Sequence, residues 1–148
     1  MAAALSAVVL ASCSEDRLSK ADFIARADEI CKEADAKTRD LTRPSTAPEV
    51  DSFVEAAGDI TRDAVARIRS LKPPEQDEAA IAEMLSKVEE ALEHLPEMSE
   101  AAKDQDLDAM QAAGRELTEA AEDAQTIAAE YGFEVCGGVA PTGTPPTP

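Results

Sequence analysis

The single histidine of the chain, His94, is the first residue that could hold a metal ion or act as a general base. Ferritin-like di-iron sites need two Glu-x-x-His pairs, whereas the residue three positions before His94 is Ala91. Met84 and Met98 could complete a soft-metal site, but their spacing is more simply that of residues at the edge of a helical core. We therefore expect His94 to lie on the surface and predict no metal site.

Three aspartates at alternate positions, Asp104, Asp106 and Asp108, have the spacing that opens a calcium-binding EF-hand loop. The sixth position of such a loop is Ala109 instead of glycine, and the twelfth is Arg115 instead of glutamate. Both departures argue against calcium, because the glycine makes the turn and the glutamate binds the ion through two oxygens. We interpret these aspartates as capping residues of a helix.

Nucleophilic and phosphate chemistry have no support in the sequence. His94 has no evident serine or cysteine partner, and the chain contains neither a glycine-rich phosphate loop nor a G-x-S-x-G turn. Adjacent carboxylates such as Glu89 and Glu90 are uninformative in a chain with 31 acidic residues. We predict no catalytic residues, no cofactor and no enzymatic activity, and keep an enzyme of unrecognised type as the least favoured alternative.

The charge of the chain limits its partners. The 148 residues include 31 acidic and 14 basic side chains, and the formal net charge is −17. Nucleic acid is not an expected partner, because phosphate contacts need clustered lysine and arginine. Hydrophobic residues form 44% of the chain, enough for a folded core, but with three Phe, one Tyr and no Trp that core must use mostly small side chains.

Residues 1–12 are uncharged and form the most apolar stretch of the chain. They are too short to span a bilayer, which needs about 20 apolar residues, but they suit the apolar region of a signal peptide. They run into Leu10-Ala11-Ser12-Cys13, which resembles the lipobox of bacterial lipoproteins. The resemblance implies cleavage before Cys13 and a diacylglycerol on its sulfur. Because the first basic residue is Arg17, we expect a basic leader to precede Met1.

Four segments with apolar residues at helical spacing follow, separated by proline or polar breaks. We predict that they begin at Ser19, at Thr46, at Pro74, and near Asp104 or Asp106. The first two end at Arg43-Pro44 and at Lys72-Pro73. Pro96 must kink or end the third, and we expect residues 97–103 to continue it as a loose turn. Gly132 is placed to end the fourth in a left-handed conformation.

The fourth segment has mostly small residues along a predicted heptad seam, so its helix can approach its neighbours closely. The seam consists of Leu107, Met110, Gly114, Leu117, Ala121, Ala124, Ala128 and Tyr131. Short connections between the four helices predict an all-α fold, an up-down-up-down four-helix bundle with one disulfide. The alternative is a three-helix bundle whose third helix is bent.

The remaining cysteines, Cys31 and Cys136, make an even pair, which in an exported protein predicts one disulfide. The pairing fits the bundle, because the fourth helix ends beside the start of the first and the chain after Tyr131 can reach back to Cys31. The chain is thus divided into a signal peptide (1–12), a lipid-anchored tether (13–18), a helical domain (19–136) and a disordered Gly/Pro/Thr tail (137–148).

Two motifs resemble those of small helical lipoproteins and secreted proteins of high-GC Gram-positive bacteria. FIARADEIC at residues 23–31 corresponds to their early ADxIC-type cysteine, and YGFEVCG at residues 131–137 to their late YGxxxC cysteine. The resemblance implies an exported helical domain with one disulfide and implies no activity. We therefore expect an extracytoplasmic protein held at the bacterial cell membrane by the lipid on Cys13.

The expected function is that of a non-catalytic binding or interaction module of the cell envelope. Its partners would be the membrane, through the lipid, and an envelope protein or a cation attracted by the acidic surface. The alternative is an extracytoplasmic solute- or metal-binding protein with a pocket between helices.

Overall fold

The computed structural model describes residues 17–137, without the side chains of residues 47 and 48. The predicted signal peptide, Cys13 with the first part of the tether, and all but the first residue of the predicted tail lie outside the described residues.

Five α-helices follow one another in the described part of the chain, and a 3₁₀ turn at Glu75–Asp77 precedes the third. They are α1 (Lys20–Asp40), α2 (Ala47–Ser70), α3 (Glu78–Glu93), α4 (Leu95–Asp104) and α5 (Leu107–Tyr131). Only His94 separates α3 from α4, and together these two helices run alongside α5 as one bent element. The prediction of an all-α four-helix bundle is confirmed.

The ends of α1 follow from local sequence. The Ser19 hydroxyl oxygen accepts a hydrogen bond from the Asp22 backbone N–H at 3.1 Å, and Leu18 packs with Phe23 in the core. Both contacts are those of a capped helix start with a hydrophobic staple. The helix ends at Asp40, three residues earlier than Arg43, because Leu41 turns into an extended conformation.

We call the bent element formed by α3 and α4 the third element. It differs from the prediction, because residues 97–103 form most of α4 and not a loose turn. Pro96 is the second residue of α4, where a backbone N–H has no partner within the helix in any case. The helix can therefore restart immediately after His94. Gly58 of α2 makes room for the new start, since a Cβ at Gly58 would lie 3.1 Å from the Leu95 Cδ1 atom.

The first half of α5 also differs from the predicted seam. Leu107 is 69% exposed, and the space beside Gly114 is empty. The buried residues of α5 are Ala113, Ala120, Ala124, Ala128 and Tyr131. In this half α5 packs against α4, whose buried residues are also small: Ser99, Ala101 and Ala102.

The helical bundle has two ends, which we call proximal and distal. At the proximal end, where α1 begins and α5 ends, the Leu18 N–H donates to the Lys72 carbonyl at 2.8 Å and the Tyr131 hydroxyl donates to the Asp77 carboxylate at 2.9 Å. At the distal end, the Lys103 ammonium of α4 lies 3.0 Å from the Asp51 carboxylate of α2. No helix within residues 17–137 is long and apolar enough to cross a lipid bilayer.

Candidate functional site

Cys31 and Cys136 form a disulfide between α1 and the segment that follows α5, with their Cα atoms 5.3 Å apart. Both cysteines pack against the hydrophobic core. The structure therefore brings together the two cysteines that the sequence analysis paired. Cys13, the predicted lipid attachment site, lies outside the described residues.

The segment after α5 is held on α1 by a single carboxylate. Asp28 accepts hydrogen bonds from the backbone N–H groups of Glu134 at 3.0 Å, Val135 at 2.9 Å and Cys136 at 2.9 Å. Hydrogen bonds to an ionised acceptor are stronger than those between neutral groups. Sequence reasoning did not assign Asp28 a role, although its place three residues before Cys31 puts it on the face of α1 that the disulfide uses.

An aromatic cluster lies beneath this segment and contains three of the four aromatic residues of the chain, Phe23, Tyr131 and Phe133. Phe23 is fully buried, and its ring centroid lies 6.2 Å from that of Tyr131 and 6.0 Å from that of Phe133. Burial, and then the hydrogen bond to Asp77, raise the pKa of the Tyr131 hydroxyl above its ordinary value. The motifs at residues 23–31 and 131–137 thus form one structural unit.

The charge of the protein is concentrated in the second half of the described chain. Residues 17–72, the neutral half, carry 11 acidic and 11 basic side chains, whereas residues 73–137, the acidic half, carry 18 acidic and three basic ones. The acidic half therefore has a formal charge of −15. Sixteen of its 18 acidic residues are exposed, the exceptions being the partly buried Asp77 and Glu89. This part of the surface can attract cations and repel anions.

The exposed face of α5 carries an ordered part of this charge. At about 100° per residue, five of its acidic residues fall within an arc of about 80° around the helix axis. This acidic stripe consists of Asp108, Glu116, Glu119, Asp123 and Glu130. The only basic residue of α5 is Arg115, so the stripe is largely uncompensated along its own helix.

Two nitrogen-bearing side chains, of Lys87 and His94, link the third element to the acidic stripe. The Lys87 ammonium lies 2.8 Å from the Glu90 carboxylate and 3.5 Å from that of Asp123. The His94 Nδ1 atom lies 3.3 Å from the Glu97 carboxylate and 3.4 Å from that of Glu116. We call these arrangements the Lys87 bridge and the His94 bridge. His94 follows Lys87 by seven residues, and Glu116 precedes Asp123 on α5 by seven residues, as expected for antiparallel helices.

His94 is partly buried, with 23% of its side chain exposed, whereas we expected it to lie on the surface. Sequence reasoning missed Glu97 and Glu116 as its neighbours. Glu97 had a local signal, since it lies three residues after His94, whereas Glu116 comes close only through the packing of α5 on the third element. The oxygen atoms of both glutamates and the His94 nitrogen lie within 4.8 Å of one another.

Of the three aspartates near the α4–α5 turn, Asp106 makes the capping contact. Asp106 precedes α5, and its carboxylate accepts a hydrogen bond from the Ala109 N–H at 3.0 Å. Gln105 takes the left-handed conformation that reverses the chain between the two helices. This geometry agrees with the interpretation of Asp106 as an N-cap.

Two shallow grooves lie on the surface. One of about 350 Å³ lies at the distal end between the α1–α2 loop and α2, and includes Leu41, Pro44 and Phe53. The other lies between α2 and α3 near the proximal end and includes Ile68, Leu71 and Ile81. Neither is lined by histidine or cysteine, so the grooves offer apolar contact without a set of converging catalytic groups.

Comparison with known proteins gives no relative from which a role could be transferred. No protein-family model, no curated protein and no solved structure matches the chain. A role for this protein is therefore inferred from its own residues.

Proposed function

We propose that this protein is a lipid-anchored, extracytoplasmic module of the bacterial cell envelope that has no catalytic activity and binds a cationic partner through its acidic half. The observation that carries the proposal is the segregation of charge, with 18 acidic and three basic residues between positions 73 and 137. A protein that only needed solubility would gain it from charge spread over its whole surface. Concentrating the charge gives one face a preferred class of partner.

The extracytoplasmic location is supported by the cysteines. Disulfides persist in oxidising compartments outside the cytoplasm, and the Cys31–Cys136 disulfide joins parts of the chain that are 105 residues apart. The lipobox-like run at residues 10–13 accounts for the third cysteine as the attachment site of the anchor.

The proposed anchor would hold the bundle close to the bilayer. Leu18 is hydrogen-bonded to Lys72 at the proximal end, and only three residues lie between Cys13 and Arg17, so Arg17 is four residue steps from the anchor. At about 3.3 Å per extended residue, that chain spans about 13 Å. Anionic headgroups would repel the acidic half, which favours orientations in which α5 faces away from the membrane and towards other envelope components.

Binding by the acidic half is tested with two triple variants that remove the same charge. One replaces three exposed acids of α5 (Glu119→Gln, Glu122→Gln, Glu130→Gln), and the matched control replaces three exposed acids of the neutral half (Asp35→Asn, Asp40→Asn, Glu55→Gln). None of the six makes an ion pair within residues 17–137.

The probe is an oligolysine peptide, whose affinity for the Cys13→Ser chain is measured by calorimetry at low and at physiological salt. We expect the α5 variant to weaken binding several-fold and the control variant to leave it close to that of the parent. Equal losses in the two variants would show that only the net charge matters, and would overturn the assignment to the acidic half.

Anchoring is tested separately in a bacterial host. The full-length protein should incorporate a palmitate analogue and partition with membranes, and Cys13→Ser should abolish both, because each buried CH₂ group contributes about 0.8 kcal/mol to membrane binding. Labelling that survives the substitution would contradict the lipid anchor without affecting the charge proposal.

A further inference from the structure

The His94 bridge gathers three potential metal ligands from three parts of the fold. His94 lies at the break between α3 and α4, Glu97 in the first turn of α4, and Glu116 on α5. Both glutamate oxygens approach the same nitrogen, Nδ1, at 3.3 Å and 3.4 Å. His94 lies seven residues, about two helical turns, after Lys87, so the two residues occupy the same face of the third element, the face towards α5.

The spacing of these atoms matches that of ligands around a small tetrahedral ion. Ligand atoms about 2.0 Å from a tetrahedral Zn²⁺ ion lie about 3.3 Å from one another. The two measured nitrogen–oxygen distances have this value, and all three ligand atoms lie within 4.8 Å of one another. A small movement of the exposed glutamate side chains would place all three at bonding distance from one ion.

The Lys87 bridge shows what the same geometry does when the cation is part of the protein. Seven residues before His94, the Lys87 ammonium lies between Glu90 of its own helix and Asp123 of α5. There, a permanent positive charge occupies the space between the carboxylates. At the corresponding position His94 supplies an imidazole, which in its neutral form is a ligand for a metal ion and leaves the cationic role to that ion.

We propose that His94, Glu97 and Glu116 bind one divalent transition-metal ion of the Zn²⁺ class. Imidazole nitrogen selects this class over Mg²⁺ and Ca²⁺, which prefer oxygen ligands only. The two carboxylates balance the charge of the ion, which lowers the repulsion within the acidic half. Three protein ligands leave a fourth position for water or for a side chain of a partner.

This site is independent of the cationic partner proposed above, because it uses none of the residues replaced in the α5 triple variant. The test uses the full chain with Cys13→Ser, which removes the free thiol as a competing ligand. Zn²⁺ is titrated by calorimetry in a large excess of Mg²⁺, which occupies carboxylates that bind cations only through diffuse charge. We expect saturable binding of a single ion per chain.

Two variants, His94→Gln and Glu116→Gln, each remove one ligand without removing a buried group. Loss of a residue that merely orients a ligand costs about 10- to 100-fold in metal affinity, so loss of a direct ligand should cost at least about tenfold. The matched control combines Lys87→Gln with Asp123→Asn, which dismantles the Lys87 bridge and leaves the net charge unchanged. We expect its affinity for Zn²⁺ to equal that of the parent.

Co²⁺ provides a second readout, because its visible absorption reports nitrogen and oxygen ligation in a tetrahedral site. We expect an intense spectrum in the parent and in the Lys87/Asp123 control, and its loss in His94→Gln. The absence of saturable Zn²⁺ binding would mean that His94 serves only in ion pairs with the two glutamates. Binding that is unchanged in both ligand variants would place the metal elsewhere. Either result would overturn the proposal.

Discussion

The proximal end of the bundle is packed with large side chains, whereas the contact between α4 and α5 is packed with small ones. At the proximal end, no Cα atom of α1 comes within 8 Å of one in α5, and the space between the helices is filled by Phe23, Tyr131 and Phe133 and closed by the disulfide. Between α4 and α5 the helices touch directly, and the buried side chains are small, such as Ala101 and Ala113.

The difference shows how a chain with so few aromatic residues forms one fold. Large side chains and a covalent link are used where helices are far apart, and small side chains are used where they are close. Removing a large side chain leaves a cavity, whereas enlarging a small one forces two backbones apart. The two regions should therefore respond oppositely to changes in side-chain volume.

The largest effect is expected from the disulfide. In the Cys13→Ser background, Cys31→Ser with Cys136→Ser should lower the free energy of unfolding by about 4–5 kcal/mol, because the bridge closes a loop of about 100 residues in the unfolded chain. Urea unfolding followed by circular dichroism measures the loss. A loss below about 1 kcal/mol would show that Asp28 and the aromatic cluster hold the proximal end without the covalent link.

Phe23→Ala should cost about 3–5 kcal/mol, since the Phe23 side chain is fully buried and its removal opens a cavity between α1 and α5. Phe53→Ala is the matched control, because Phe53 is only partly buried and borders the distal groove. Phe53→Ala should lower the free energy of unfolding by clearly less than Phe23→Ala does. Equal costs in urea unfolding would mean that the proximal cluster has no special weight in the stability of the bundle.

Ala113→Leu should destabilise the contact between α4 and α5 by about 1–3 kcal/mol through overpacking. The same substitution at the exposed Ala66 of α2 should change stability by no more than about 0.5 kcal/mol. Thermal unfolding of the two variants provides the comparison. If Ala113→Leu were neutral, the distal region would be loosely packed, and the contrast between the two regions would disappear.

The Tyr131 hydroxyl should make the stability of the folded protein depend on pH. Its pKa is raised from an ordinary value of 10.0, first by burial and then by the hydrogen bond to Asp77. The folded state therefore holds this proton more tightly than the unfolded state, and the resulting stability is complete below pH 10 and is lost as the pH rises through the folded value. Because the chain has one Tyr, the change in near-ultraviolet absorbance that accompanies phenol ionisation reports this group alone.

In such a titration, we expect ionisation of Tyr131 to begin above the range of a free tyrosine and to coincide with unfolding. Asp77→Asn should lower the pKa of Tyr131 without restoring its ordinary value, because the hydroxyl remains buried. Normal titration in the folded protein would mean that the hydroxyl is open to water.

The smallest effect is expected at Gly114, a helical position where an added Cβ meets nothing within 4 Å. Gly114→Ala should stabilise α5 by about 0.5–1 kcal/mol, because alanine loses less backbone entropy in a helix. The same change at Gly132 should destabilise the protein, since its φ of 107° is unfavourable for alanine. Opposite shifts of the melting temperature would confirm the distinction.

Features encoded by neighbouring residues were predictable from the sequence. Ser19 and Asp106 as caps and Gly132 at the end of the last helix all depend on short-range chemistry, whereas the Cys31–Cys136 pair was predictable from the even number of cysteines left after Cys13. The exposure of Leu107 and the approach of Glu116 to His94 were not predictable, because both depend on how α5 is rotated and aligned against a third element that is broken at His94. The three hydrogen bonds to Asp28 likewise require the chain after α5 to return to α1.

The two charged bridges have a consequence for the alignment of α5. A surface of alanines has few protrusions, so it resists sliding poorly. If α5 slipped by one helical turn, the residue facing His94 would change from Glu116 to Ala120 or Ala112, and in the first case the residue facing Lys87 would change from Asp123 to Ile127. His94 loses its carboxylate partner on α5 in either slip, and Lys87 loses its partner on α5 in the first. The bridges thus select a single lengthwise position for a helix whose alanine side chains would tolerate several.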